Sequence, residues 1–182
     1  ASRQAAIDVI ARHPEWSAEV MDIIPSLLAV AEPDDEQLRS ARRLLVAFAG
    51  NEQVQEYVGN TLAKSDTPVA SRLALLHVVR DANLSKLPES WQRSLNTILS
   101  TNDTALLGPA IVAVDRNKSE LFDEVLRRIA DDEKRPAMIR VRALAASRIG
   151  RELSNEMLQF LCEQITSDMP GARSNLRSAA LA

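Results

Sequence analysis

Few side chains here are equipped for chemistry, and they are scattered. His13 and His77 are the two histidines and Cys162 is the one cysteine. A catalytic imidazole needs a nucleophile or an acid within hydrogen-bond reach, and a zinc site needs several His, Cys or carboxylate ligands at fixed spacing. His77 lies inside LALLHVV with no second ligand a helical turn away, which predicts a satisfied histidine at the core or its edge. His13 precedes Pro14 at a helix end, where a cation suits the last carbonyls, so a capping role is expected. Cys162 falls on an apolar helical stripe and is expected to be buried and inert, and alone it forms no disulfide framework. The clusters Asp34-Asp35-Glu36 and Asp131-Asp132-Glu133 carry the oxygen donors a hard cation takes. They stand where turns and helix starts belong, and carboxylates there stabilise a helix N-terminus by about 0.3–1 kcal/mol. The five glycines are isolated, so no loop cradles a phosphate, and no serine stands in a Gly-x-Ser-x-Gly elbow. No catalytic, metal or cofactor-binding residue is assigned. The chain reads as a non-enzyme that takes no cofactor.

Arginine supplies the remaining chemistry. Arg43, Arg72, Arg142 and Arg177 recur in matching places. They would form a ladder for an anionic ligand, or pair with the turn acids of adjacent repeats and tie a stack together. The second reading is preferred. Residues 1–38 carry eight acids and two bases, residues 39–99 eight bases and five acids, and residues 100–182 twelve of each. No stretch is basic enough for a nucleic-acid footprint.

These residues must be positioned by a repeat. Arg43, Arg72, Pro109, Arg142 and Arg177 each open a small-plus-aliphatic run: RLLVAF, RLALLHV, PAIVAV, RALAAS and RSAALA. The intervals are 29, 37, 33 and 35 residues, and RQAAIDVI looks like an earlier copy. A period of about 34 residues marks stacked helical hairpins. Hydrophobic content of 46% excludes a disordered chain, while five glycines and 3% aromatics argue against a β-sandwich or barrel. No apolar run approaches the roughly 18 residues that suggest a membrane span. The expected fold is all-α: a single domain over 1–182, an α-α superhelix of about five hairpins. The missing initial methionine and the final apolar run without a stop signal suggest a fragment of a larger multidomain protein.

Each hairpin should pair a small-residue-rich first helix with a more sharply amphipathic second one. One second helix is expected over 118–130 behind a capping box of Asn117 and Glu120. Its stripe is Leu121, Phe122, Val125, Leu126 and Ile129, with Asp123, Glu124 and Arg127 opposite. The next is expected from Ser154 to Thr166, with Met157, Leu158, Leu161, Cys162 and Ile165 inward and Glu156, Gln159 and Glu163 outward. Trp91, Leu95, Ile98 and Leu99, behind Pro88, form an earlier stripe, and Val54, Tyr57, Val58 and Leu62 one before that. The first helix with Met138, Ile139, Val141, Leu144, Ala145 and Ile149 is apolar around most of its circumference. Gly50 and Gly150 are expected helix stops, Thr67 an N-cap, and Pro25 a kink or break within 19–31. Trp16 and Trp91 are expected in packing. Phe160 lies off its stripe, toward the next repeat or a partner.

Tetratricopeptide and ankyrin signatures are missing. Asp66-Thr67-Pro68-Val69-Ala70-Ser71-Arg72 and Arg135-Pro136-Ala137-Met138-Ile139-Arg140-Val141-Arg142 resemble HEAT repeats, and that pattern recurs throughout the chain. The passage 67–146, through TPVASRLALLHVV, LSKLPESWQRSLNTIL and IADDEKRPAMIRVRALAA, also resembles the helical-repeat region of planctomycete-type membrane-bound dehydrogenases and haem-binding proteins. That resemblance implies a propeller domain before the repeats, a c-type cytochrome segment after them, and an extracytoplasmic or periplasmic location. The 182 residues themselves hold no Cys-x-x-Cys-His and no propeller-like strands.

The expected function is a non-catalytic interaction or inter-domain scaffold module. Its second helices would present Arg93, Asp123, Arg127, Gln159 and Glu163 to a protein or to neighbouring domains of the same chain, with no nucleic-acid partner and no membrane insertion. The alternative is a helical-repeat nucleic-acid-binding or base-repair protein. A third reading, a relative of bilin-attachment lyases, would need thiol chemistry at Cys162.

Overall fold

The computed structural model describes residues 2–28, 35–148 and 154–166. Among the described residues regular structure is wholly helical, as expected. The helices are α1 (Ser2–Ile10), α2 (Ser17–Leu28), α3 (Asp35–Ala47), α4 (Glu52–Ala63), α5 (Val69–Asp81), α6 (Glu89–Leu99), α7 (Thr104–Arg116), α8 (Asp123–Asp131), α9 (Ala137–Ala146) and α10 (Asn155–Thr166). Short 3-10 turns at Pro14–Trp16 and Glu120–Phe122 lead into α2 and α8. The chain divides into two compact units, Ala1–Ile98 and Leu99–Ala182.

In the first unit α3 packs against α1, α2 and α5, and α4 packs on α5. The expected second-helix stripes form its core: Val54, Val58 and Leu62 of α4 and Trp91, Leu95 and Ile98 of α6 are fully buried, while Tyr57 is only partly covered. Asn51 caps α4, its side chain accepting from the N–H groups of Gln53 (2.9 Å) and Val54 (3.3 Å). Gly50 is not the stop expected of it. Helix α3 ends at Ala47, and Gly50 stays outside the left-handed region. Thr67 is not an N-cap either. Pro68 takes that position, and the Thr67 hydroxyl instead donates to the Thr61 carbonyl at 2.9 Å. Pro25 sits inside α2 without ending it before Leu28.

Helices α4 and α6 approach closely at Gly59. A Cβ on Gly59 would lie 2.5 Å from Ser90 Cβ and 2.8–2.9 Å from the Ser90 carbonyl group. Ser94 Oγ donates to the Gly59 carbonyl at 2.7 Å, while Ser90 Oγ and the Trp91 indole N–H both donate to the Gln55 carbonyl. Glycine permits the contact, and three donors then use carbonyls already inside a helix.

In the second unit α9 packs against both α7 and α8. The run that Pro109 opens lies inside α7, which begins five residues earlier behind Asp103; Asp103 accepts from the Ala105 N–H at 3.0 Å. The expected capping box gives way to a different join. Asn117 closes α7, donating to the Ala113 carbonyl, Lys118 turns through φ 51°, and the 3-10 turn precedes α8. That shift puts Leu121 outside, 65% exposed, while Phe122, Leu126 and Ile129 stay buried. On α9, Ile139 and Val141 are buried as expected, but Ala145 faces out and Ala143 and Ala146 face in. Ser154 caps α10 as expected, accepting from the Met157 N–H at 3.1 Å. Ile149, Gly150, Asp34 and the Arg177 run lie outside the described residues.

Candidate interaction surfaces

Arginines tie each unit together, in a different register from the expected one. Arg72 on α5 donates through Nε to the Leu62 carbonyl near the end of α4. Arg140 on α9 donates in the same way to the Ala130 carbonyl near the end of α8. Donors and acceptors are both 68 residues apart (140 − 72 and 130 − 62). The turns match too: Pro68 (φ −52°, ψ 140°) and Pro136 (φ −53°, ψ 137°) each precede their helix by one residue. The structural equivalent of Arg72 is therefore Arg140, not Arg142. Arg142 lies beside Gly108 on α7.

The expected pairing of the recurring arginines with acids holds only weakly. Arg43 reaches Asp8 at 3.8 Å with both side chains more than half exposed, a geometry that contributes little. The firmer acid contacts are Arg42 to Asp81 (2.9 Å, α3 to α5) and Arg148 to Asp115 (3.4 Å). Arg80 also holds Asp81, at 2.7 and 3.1 Å. The Arg80 hydrogen bond, more than Arg42, keeps the Asp81 carboxyl below its usual range, and Asp81 in turn raises Arg80. His77 stands near this group on α5. Partial burial first, then the Arg80 and Arg42 charges, lower its pKa from the usual 6.5. The cluster was missed at sequence level because its members come from two helices 39 residues apart.

Of the five residues expected to face a partner, Arg93 belongs to the first unit and the other four to the second. Arg93 is exposed on α6. Arg127 is half-buried on α8. Gln159 and Glu163 are exposed on α10, where Gln159 Nε2 donates to Glu163 Oε1 at 3.1 Å. Asp123 does not belong with them. It is 1% exposed, and its carboxylate accepts from the Arg148 backbone N–H at 2.9 Å. The 3-10 turn rotates it inward, where it joins α8 to the end of α9.

Cys162 is exposed, against expectation, and Leu158 (52%) and Ile165 (53%) are exposed with it. Only Met157 and Leu161 of the broad α10 stripe are buried. Leu161 packs against Val141, with Phe160 partly covered beside them under the Arg140 guanidinium, 4.0 Å from its centroid. At the other end of the chain, His13 does not cap α1 with its ring. Its Nδ1 lies 2.8 Å from Glu15, and the ring stacks on Trp16, which is 38% exposed rather than core. A shallow cleft of about 290 Å³ is lined by Gln4, Glu36, Arg39, Ser40 and Arg43.

Among the described residues no group of three or more His, Cys, Asp or Glu side chains is placed to hold a metal. No described helix is long and apolar enough to cross a membrane. Comparison with family models, curated proteins and solved structures returns no match.

Proposed function

We propose that the chain is a non-catalytic interaction or inter-domain scaffold module built as a stack of about five HEAT-like hairpins. The observation that supports it most is the repeated Arg-to-carbonyl bond, Arg72 to Leu62 and Arg140 to Ala130, beside matching Pro68 and Pro136 turns. Longer-range polar links point the same way. Ser71 to Leu28, Arg42 to Asp81, Ser94 to Gly59 and Arg135 to Thr101 span 43, 39, 35 and 34 residues, close to one repeat each. In a solenoid each repeat contacts its neighbours only, and partners bind across the surface of many repeats. Arg93, Arg127, Gln159 and Glu163 are the polar contacts offered. The resemblance of 67–146 suggests a sharper form, with the module joining a propeller and a c-type cytochrome domain outside the cytoplasm.

Affinity capture with the whole chain as bait, beside an Arg127→Glu/Glu163→Arg variant, tests the reading. A protein or adjoining domain retained by the parent and lost by the variant supports it. Low-salt retardation of nucleic acid at micromolar protein would favour the nucleic-acid reading instead.

A further inference from the structure

We infer that the outer face of α2 docks a basic amphipathic helix of a partner protein, one with leucine-type side chains beside lysine or arginine. This inference rests on the interaction-module reading and names a surface and a partner chemistry for it. Helix α2 buries Val20, Ile24 and Leu28 but leaves Ile23 exposed (44%), as is Trp16 just before it (38%). Ser17 already has helical backbone (φ −61°, ψ −34°), so Trp16 and Ile23 stand about two turns apart on one side of the helix. Glu19 lies between them, and Glu15 and Asp22 form the adjoining row; all three acids are exposed. Residues 13–28 include no lysine or arginine. Among the described residues Glu15 pairs with His13, while Glu19 and Asp22 have no ion-pair partner. The carboxylates therefore border the apolar pair on its own face.

The aromatic anchor is held in place before any partner arrives. The His13 ring stacks on Trp16, with centroids 4.2 Å apart and planes 16° from parallel, and its Nδ1 lies 2.8 Å from Glu15. Tryptophan is enriched in interface hot spots, and an indole already held loses less side-chain freedom on binding. Charge decides between occupants. A second copy presenting the same face would bring Glu15, Glu19 and Asp22 against their equivalents, which like-charge repulsion disfavours. A helix with lysine or arginine beside its apolar stripe meets three carboxylates with opposite charge, and Trp16 and Ile23 with apolar surface. Their spacing, about 10 Å along the helix, suits anchors two turns apart on such a partner.

Trp16 reports occupancy directly, because Trp91, the other tryptophan, is fully buried. Acrylamide quenching of fluorescence would be followed in the whole chain while an amphipathic peptide built only of leucine and lysine is titrated to saturation. Trp16 is expected to be quenched readily at every chain concentration, about threefold less with peptide in low salt, and less protected again in high salt as the charges are screened. The protection should vanish with a peptide carrying glutamate in place of lysine, and with a Glu19→Lys/Asp22→Lys chain of unchanged helicity. Weak quenching of the dilute chain alone would mean that other residues of the same chain cover Trp16, and would overturn the inference. Protection that grows with chain concentration would assign the face to a second copy, with the same consequence. Unchanged quenching with the lysine peptide, or equal protection by the glutamate peptide, overturns it as well. A Glu19→Lys/Asp22→Lys chain that still captures its partner would retain the interaction-module reading and remove this one alone.

Discussion

Asp123 shows how one residue changes meaning when a helix start moves. On a continuous helix from Lys118 it lies opposite the apolar stripe, but the 3-10 turn at Glu120–Phe122 brings it inward to the Arg148 N–H. A buried carboxylate with a backbone donor is a structural joint. Asp123→Ala leaves that donor without its partner and is expected to cost about 1–3 kcal/mol, seen as a lower urea midpoint, with little effect on partner capture. Little loss of stability together with lost capture would return Asp123 to the surface. His77 belongs to the same scale. Its folded pKa lies below the unfolded value of 6.5, because burial and then Arg80 and Arg42 disfavour its charged form. The unfolded chain therefore binds the proton more tightly. The His77 contribution is complete above pH 6.5 and is lost as pH falls through the folded pKa. Urea midpoints at pH 7.5 and 5 should fall less for His77→Gln than for the parent, and equal falls would contradict the assignment.

At the scale of elements, glycine and serine determine how closely helices pack. Gly→Ala inside a helix ordinarily stabilises by up to about 1 kcal/mol. At Gly59 the added methyl would meet Ser90 backbone atoms inside 3 Å, so α4 and α6 must separate and the three donors onto α4 carbonyls lengthen. Gly59→Ala is expected to lower stability by about 1–3 kcal/mol, whereas Gly50→Ala, with nothing within 4 Å, should be near neutral. Thermal midpoints of the two variants decide it. The stripes Val54–Val58–Leu62 and Trp91–Leu95–Ile98–Leu99 were legible in advance because helical periodicity and burial have one cause. The exact register was not. Arg142 stands nearer the small-residue run, but Arg140 makes the bond, and its acceptor is a backbone carbonyl that no side-chain pattern advertises. The spacing Pro68-x-x-x-Arg72 and Pro136-x-x-x-Arg140 was the available signal. Leu158, Cys162 and Ile165 misled for a related reason: periodicity marks an apolar face without saying which neighbour covers it.

At the scale of the whole molecule, polar links within the units span 34 to 43 residues, about one repeat of the stack proposed above, and such a stack would limit how far damage travels. Trp91 is fully buried in the first unit, and its indole N–H is bonded to the Gln55 carbonyl. Truncating a core tryptophan typically costs about 3–5 kcal/mol. In a chain where stability is a sum of repeat and neighbour terms, that loss falls on the helices around the cavity. Hydrogen exchange of Trp91→Ala should show protection falling most in α4–α6, with α8 and α9 retaining most of theirs. Asp123→Ala should show the reverse pattern, since its contacts join α8 to the end of α9. Uniform loss across all helices in both variants would mean one cooperative core, and would count against a stack of hairpins. The reciprocal pattern would show that the period of about 34 residues is also the range over which the helices stabilise one another. A partner spanning several repeats would then supply the long-range order that nearest-neighbour links do not.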